Sequence, residues 1–204
     1  MRSKRIPSPP RVESHFAGSW HRQPGLNVWR ARTLACLRVA FGGIWAVAAW
    51  LKWQPAFQHS FVEQINKAKD GQAPAIQAWI SWWSALISLN PLLFARIEAS
   101  TETALALMLI LGLFSNLSYV VGAFLALSIW AIPEGFGGPY VPGQTTDVGT
   151  TLPYALLFGV LFVTSAGQYY ALDQWLAPHL GPLSFFASRS SRNDDFTPER
   201  GFAF

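Results

Sequence analysis

Oily and polar positions alternate along this chain in long blocks. Met1 to Arg32 is polar and contains prolines, and Thr33 to Leu51 is then an almost unbroken apolar run. That run of about 19 residues can cross a membrane as a helix rising about 1.5 Å per residue. A mixed segment, Lys52 to Asn90, follows. Its part FQHSFVEQINKAKDG has the spacing of an amphipathic helix. The next part, PAIQAWISWWSALISLNP, holds Trp79, Trp82 and Trp83. Its apolar stretch of about 15 residues is short for a span and suits a helix lying in the interface. Asn90 and Pro91 have the residue types of an N-cap and first-turn pair, so a second span is predicted from Pro91 to Phe114, ended by a polar turn SNLS. A third, Tyr119 to Ile132, is closed by Pro133; a fourth, from about Thr151 to Tyr170, follows the loop PEGFGGPYVPGQTTDVGT. The predicted fold is all-α: an integral membrane four-helix bundle with one or two interfacial helices in the first outer loop. Its parts are a basic arm (1–32), a transmembrane domain (33–176) and a C-terminal tail (177–204).

Composition supports a membrane setting. Of the 204 residues, 51% are hydrophobic and 13% charged, where soluble domains carry about 25% charged residues. Ten Trp are present, and indoles concentrate at membrane interfaces. Ten Lys or Arg lie in the two tails, against Lys52, Lys67 and Lys69 on the opposite side. Positive charge stays inside, so both termini are expected in the cytoplasm of a multi-pass protein of a bacterial or archaeal inner membrane. Trp50, Trp53, Trp79, Trp82, Trp83 and Trp130 then mark the outer interface, and Trp29 and Trp175 the inner one. The net charge of +4 is read as topology, with the lipid bilayer as partner and no nucleic acid. The arm resembles the n-region of a signal peptide, with AVA at Ala46 to Ala48 imitating a cleavage site, but the length of the apolar run favours an uncleaved span.

Several chemistries are excluded. The one Cys, Cys36, cannot form an internal disulfide, a CxxC motif or an iron–sulfur cluster, and is expected to be a buried small hydrophobe. His15, His21, His59 and His179 lie outside the spans, so no intramembrane haem and no metal site are expected. GFGGP lacks the strand and the Lys-Ser or Lys-Thr of a phosphate loop.

Two carboxylates stand out, Glu98 and Glu102 in RIEASTETALALMLILGLF. A charge against hydrocarbon costs about 2.5–3.5 kcal/mol on insertion scales, so the pair should face the bundle. They lie four apart on a face shared with Ala95 and Ala99. Arg38 on the first helix is the predicted partner of Glu102, with Arg96 competing for Glu98. That pairing is either a structural peg or a site. Gly42, Gly43 and Ala46, and again Gly122 and Ala126, read as close-packing patches. Asp147 and Tyr154 either line an outer substrate pocket or form an N-cap region and a core tyrosine. Asp173 beside Trp175 reads as an interfacial cap, and Glu134 as solvated.

The segments LRVAFGGIWAVAAWLKW, NPLLFARIEASTETALALMLILGLFSNLS and EGFGGPYVPGQTTDVGTTLPYALLFGVLFVTSAGQYYALDQWL resemble the DoxX/DoxD-like family over Leu34 to Leu176. Its DoxD branch includes the membrane subunit of thiosulfate:quinone oxidoreductase. The resemblance implies a route from a sulfur donor to the quinone pool, with quinone as ligand and no covalently bound cofactor. Arg38, Glu98, Glu102 and Tyr154 can supply the hydrogen-bonding groups such a ring needs, with Asp147 beside them. The sequence supplies no electron-transfer centre, so catalysis would need a partner subunit or direct chemistry between donor and quinone. The alternative is a non-catalytic subunit of a larger respiratory or photosynthetic membrane complex. An internal repeat or paired broken helices, which would suggest a transporter, are not seen. A quinone site predicts an apolar cleft beside Glu102 and Arg38; a packing subunit predicts those groups sealed.

Overall fold

The computed structural model describes residues 24–142, 145, 147–176, 179, 186 and 187; most of the predicted arm and tail lies outside them. Among the described residues every regular element is helical, in the order α1 (Pro24–Lys52), α2 (Pro55–Lys67), α3 (Pro74–Ile87), α4 (Pro91–Leu111), α5 (Ser115–Ala131), α6 (Leu152–Val163) and α7 (Asp173–Leu176). Proline opens α2, α3 and α4 at the first turn, where its missing N–H costs nothing. Asn90 caps α4 as predicted, its side chain accepting from the Leu93 N–H at 3.2 Å.

Three boundaries differ from the sequence reading. Helix α1 begins at Pro24, inside the predicted polar arm, because hydropathy marks where oil ends and not where a helix must stop. The turn between α4 and α5 is Gly112 to Phe114, so SNLS forms the first turn of α5. Gly112 takes a left-handed φ of 66°, which closes α4 without strain. The fourth apolar segment is helical only over 12 residues, to Val163. Ser165 turns left-handed at φ 49° and a 3-10 turn, Ala166–Gln168, follows. At about 18 Å, α6 is shorter than a hydrocarbon core of about 30 Å.

Helices α1, α4, α5 and α6 share one core, built from Phe41 and Trp45, Leu105 and Leu109, Tyr119 and Ala126, and Phe158 and Leu161. Phe41 meets Phe158 at 4.7 Å between ring centroids and Tyr154 at 5.4 Å. A second cluster joins α2, α3 and the start of α4 through Phe61, Ile65, Ile80, Ile87 and Ala95. Residues Val28–Lys52 form a segment long and apolar enough to cross a membrane, by length and composition; α5 and α6 are shorter apolar helices. Cys36 is exposed on the outside of α1, contrary to the expectation of burial. A continuous apolar run does not say which side of the helix meets the core, so it offers a small thiol no more reason to point inward than outward.

Candidate functional site

Helices α1 and α4 run antiparallel, and their register decides the site. A Cβ built on Gly42 would lie 2.8 Å from Ile110, and one on Gly112 would lie 2.5 Å from Arg38 Nη1, so Arg38 is level with Gly112. Glu102 is ten residues further along α4, about 15 Å away along the axis. Arg38 and Glu102 therefore do not pair. The cation that meets the glutamates is Lys52, the last residue of α1: its Nζ donates to Glu98 Oε1 and lies 2.7 Å from Glu102 Oε1. Glu102 is 1% exposed and Glu98 15%.

The elements around the lysine hold it in place. The Gln58 amide on α2 donates to the Lys52 carbonyl at 2.9 Å, satisfying an orphan acceptor at the end of α1. The Phe57 ring lies 5.4 Å from Nζ. Trp53 Nε1 donates to Thr103 Oγ1 at 3.1 Å, tying the same helix end to α4. Two carboxylates face one ammonium here, and Glu102 Oε2 is buried without a protein partner.

Arg38 belongs to a separate inner cluster. Its Nη2 donates to the Tyr170 carbonyl at 2.9 Å, and the Tyr119 hydroxyl lies beside it and Ser115. Asp173 is fully buried and caps α5 from a distance, accepting from Phe114 N at 2.7 Å and Ser115 N at 2.8 Å. It is a cap, as read from sequence, but of another helix than its own.

The remaining candidates do not converge. Tyr154 sits in the core between Phe41 and Trp45, while Asp147 is exposed and accepts from the Gly149 N–H at 2.9 Å in a local turn. Glu134 is not simply solvated. Its carboxylate accepts from the Thr150 hydroxyl, from the Thr151 hydroxyl at 2.8 Å and from the Thr151 N–H at 3.2 Å, closing the Gly-rich loop onto the start of α6.

Beside the ion cluster, on the face of α4 away from α1, lies an apolar cleft of about 190 Å³ between α2, α3, α4 and α5. Phe61, Ile65, Ile87, Phe94 and Ile129 form its walls, and Glu98 reaches it. Lys52 and the cleft are not legible in the sequence, where nothing fixes how the start of α4 stands against the end of α1. The first two turns of α4 in fact rise beyond the end of α1 to pack on α2 and α3, as Phe94 and Ala95 do. The available signal was the lysine closing the first apolar run with two glutamates early in the next long helix. No family model, curated protein or solved structure matches the chain.

Proposed function

We propose that the chain is a multi-pass inner-membrane protein of the DoxX/DoxD type, a four-helix bundle with both termini cytoplasmic. In this reading the cleft beside Glu98 holds the ring of a membrane quinone, as part of a system passing electrons from a donor such as thiosulfate to the quinone pool. The observation that carries it is an apolar cleft of ring size reached by a carboxylate that a lysine holds in position. An apolar slot with a polar group at its edge is how small-molecule sites fix orientation. Electrons enter from a partner subunit; this chain binds and orients the ring.

Membrane embedding is supported by the exterior of the bundle. Phe124 on α5 and Leu156 and Val163 on one face of α6 are 74%, 68% and 81% exposed on the outside of the shared core, a costly arrangement in water. Exposed Trp29 and Trp50 on α1 are 21 positions apart, about 32 Å, close to the thickness of a hydrocarbon core. The test is thiosulfate-dependent reduction of a short-chain quinone by the protein purified with its native partners, with Glu98→Gln as control. Activity that falls at least tenfold in the variant supports the site; activity that is absent, or unchanged by the substitution, overturns it.

One observation favours the accessory-subunit reading: Glu102 and Arg38 are each 1% exposed, sealed as a packing element would have them. Stoichiometric partner subunits by mass spectrometry of native membranes, together with no quinone binding, would decide for it.

A further inference from the structure

We infer that the inner end of α1 holds an anionic phospholipid, its phosphate on Arg32 and its first chain carbons between α1 and Tyr170. The inference rests on the membrane setting proposed above and not on the quinone cleft. Its starting point is a groove of about 620 Å³ on the outside of α1, lined by Arg32, Ala35, Cys36, Val39, Ala40 and Tyr170. Arg32, Cys36, Val39 and Ala40 are exposed and recur at helical spacing, so they form one stripe along the helix. Small side chains at Ala35, Cys36 and Ala40 keep the floor of the groove low.

The far wall is a single phenol. Helix α6 stops at Val163, and the chain returns to α1 through the 3-10 turn Ala166–Gln168, which brings Tyr170 to the groove. Tyr170 takes a φ of 50°, a left-handed conformation that tyrosine seldom adopts, and the buried Arg38 donates to its carbonyl at 2.9 Å. That hydrogen bond fixes the turn, while the Tyr170 side chain stays exposed beside α1.

Charge and depth choose the occupant. Arg32 is the one charged side chain lining the groove and forms no ion pair with the described residues. The rest of the lining is apolar apart from the Cys36 thiol and the phenol. Exposed Trp29 lies three residues before Arg32, about 5 Å, which puts the guanidinium at the headgroup level of a bilayer. Val39 and Ala40 lie seven and eight residues beyond Arg32, about 10–12 Å deeper, at the level of acyl chains. A cation at interface depth above an apolar trough matches a phosphate that carries a hydrocarbon chain. A free phosphate uses the cation and leaves the trough empty. A second copy of the chain fits less well: copies in one bilayer pair about an axis along its normal, so like depths meet and Arg32 would face Arg32.

The experiment places the full chain in nanodiscs of equal phosphatidylglycerol and phosphatidylcholine, and native mass spectrometry counts the lipids retained on release into mild detergent. Phosphatidylglycerol should be retained over phosphatidylcholine by about fivefold, the factor one basic residue supplies at an anionic surface. Arg32→Gln should abolish the preference. Arg30→Gln, two positions away and so on another face, should keep it. Ala40→Phe keeps the charge and fills the trough, so it should release the lipid as Arg32→Gln does. Equal retention of the two lipids by the native chain, equal losses in Arg30→Gln and Arg32→Gln, or unchanged retention in Ala40→Phe overturns the inference. Displacement by excess inorganic phosphate also overturns it, in favour of a free-anion site. A chain that stays soluble without detergent and enters no bilayer overturns the membrane reading, and this inference with it. The comparison of the two lipids is made on the native chain, so it stands even if a variant fails to fold.

Discussion

A lysine shared by two carboxylates cannot be removed without stranding charge. In Lys52→Met, Glu102 keeps its buried position and loses its only cation among the described contacts. Removing one partner of a buried pair costs about 3–5 kcal/mol, so the variant should lose that much unfolding free energy in detergent titration. Adding Glu98→Gln and Glu102→Gln should recover most of it, because neutral amides leave no charge to strand. If Lys52→Met is as stable as the native chain, the ion cluster is not what ties α1 to α4. The glutamates were legible as a bundle-facing pair, because a charge in an oily run is expensive wherever it sits. Their partner was not, because the partner is set by register, and register depends on how far α4 rises past α1 to cover α2 and α3. That Trp83 and Thr101 line one cleft was not legible for a related reason: a cleft among four helices is a property of their packing and leaves no local pattern.

Between elements, the close approach of helices turns on single glycines, and the two classes read from the sequence separate. A Cβ on Gly122 would fall 2.3 Å from the Phe158 ring, the contact that brings α5 against α6. Gly122→Ala should therefore cost about 1–3 kcal/mol by overpacking, and Phe158→Leu in the same chain should relieve part of it. Gly43, assigned to a packing patch by its neighbour Gly42, has nothing within 4 Å of an added Cβ. Gly43→Ala should be neutral or raise stability by about 0.5–1 kcal/mol through helix propensity. Equal losses at Gly43 and Gly122 would refute this division. Adjacent residues on a helix point about 100° apart, so a GG pair can place only one member at a contact. Helix α2, on the outer side of the fold, carries an exposed Glu63–Lys67 pair at 2.8 Å. Lys67 holds the Glu63 carboxyl below its ordinary range, and Glu63 raises Lys67 above its own. The glutamate side thus contributes above the ordinary Glu range and is lost on acidification; the lysine side is lost only as the pH rises past the ordinary Lys range. Exposed pairs contribute little, so Glu63→Gln should leave the melting midpoint at pH 7 unchanged within error; a clear drop would mean the pair does more than solvate α2. The helix starts at Pro55, Pro74 and Asn90–Pro91 were readable because caps and prolines are local chemistry. The early end of α6 was not, because Thr164 and Ser165 break the helix where hydropathy continues.

For the whole molecule, the proposed membrane setting turns on which ends share a side of the bilayer. The antiparallel register of α1 and α4 puts Lys52, α2 and α3 at one end and Arg38, Gly112 and Asp173 at the other. The loop after α5 returns to the first end, where Trp79 Nε1 donates to the Ala131 carbonyl at 3.1 Å and Trp130 Nε1 to the Val148 carbonyl at 2.7 Å. With Lys and Arg concentrated in the tails, that end is expected outside. Single cysteines at exposed Ala75 on α3, Tyr140 in the Gly-rich loop and Arg30 near the start of α1 test this directly, with Cys36 replaced by Ala. A membrane-impermeant maleimide applied to intact cells should label Ala75→Cys and Tyr140→Cys, and should label Arg30→Cys only after the membrane is opened. The short α6 makes Tyr140 the informative site. If the bundle crosses four times, the loop before α6 must emerge beside α3 even though α6 itself covers only about 18 Å, leaving the turn from Thr164 to Tyr170 to complete the crossing. Labelling of Ala75→Cys without Tyr140→Cys would mean that α5 and α6 do not cross as a pair, and the four-span arrangement would fall while the α1–α4 register stood.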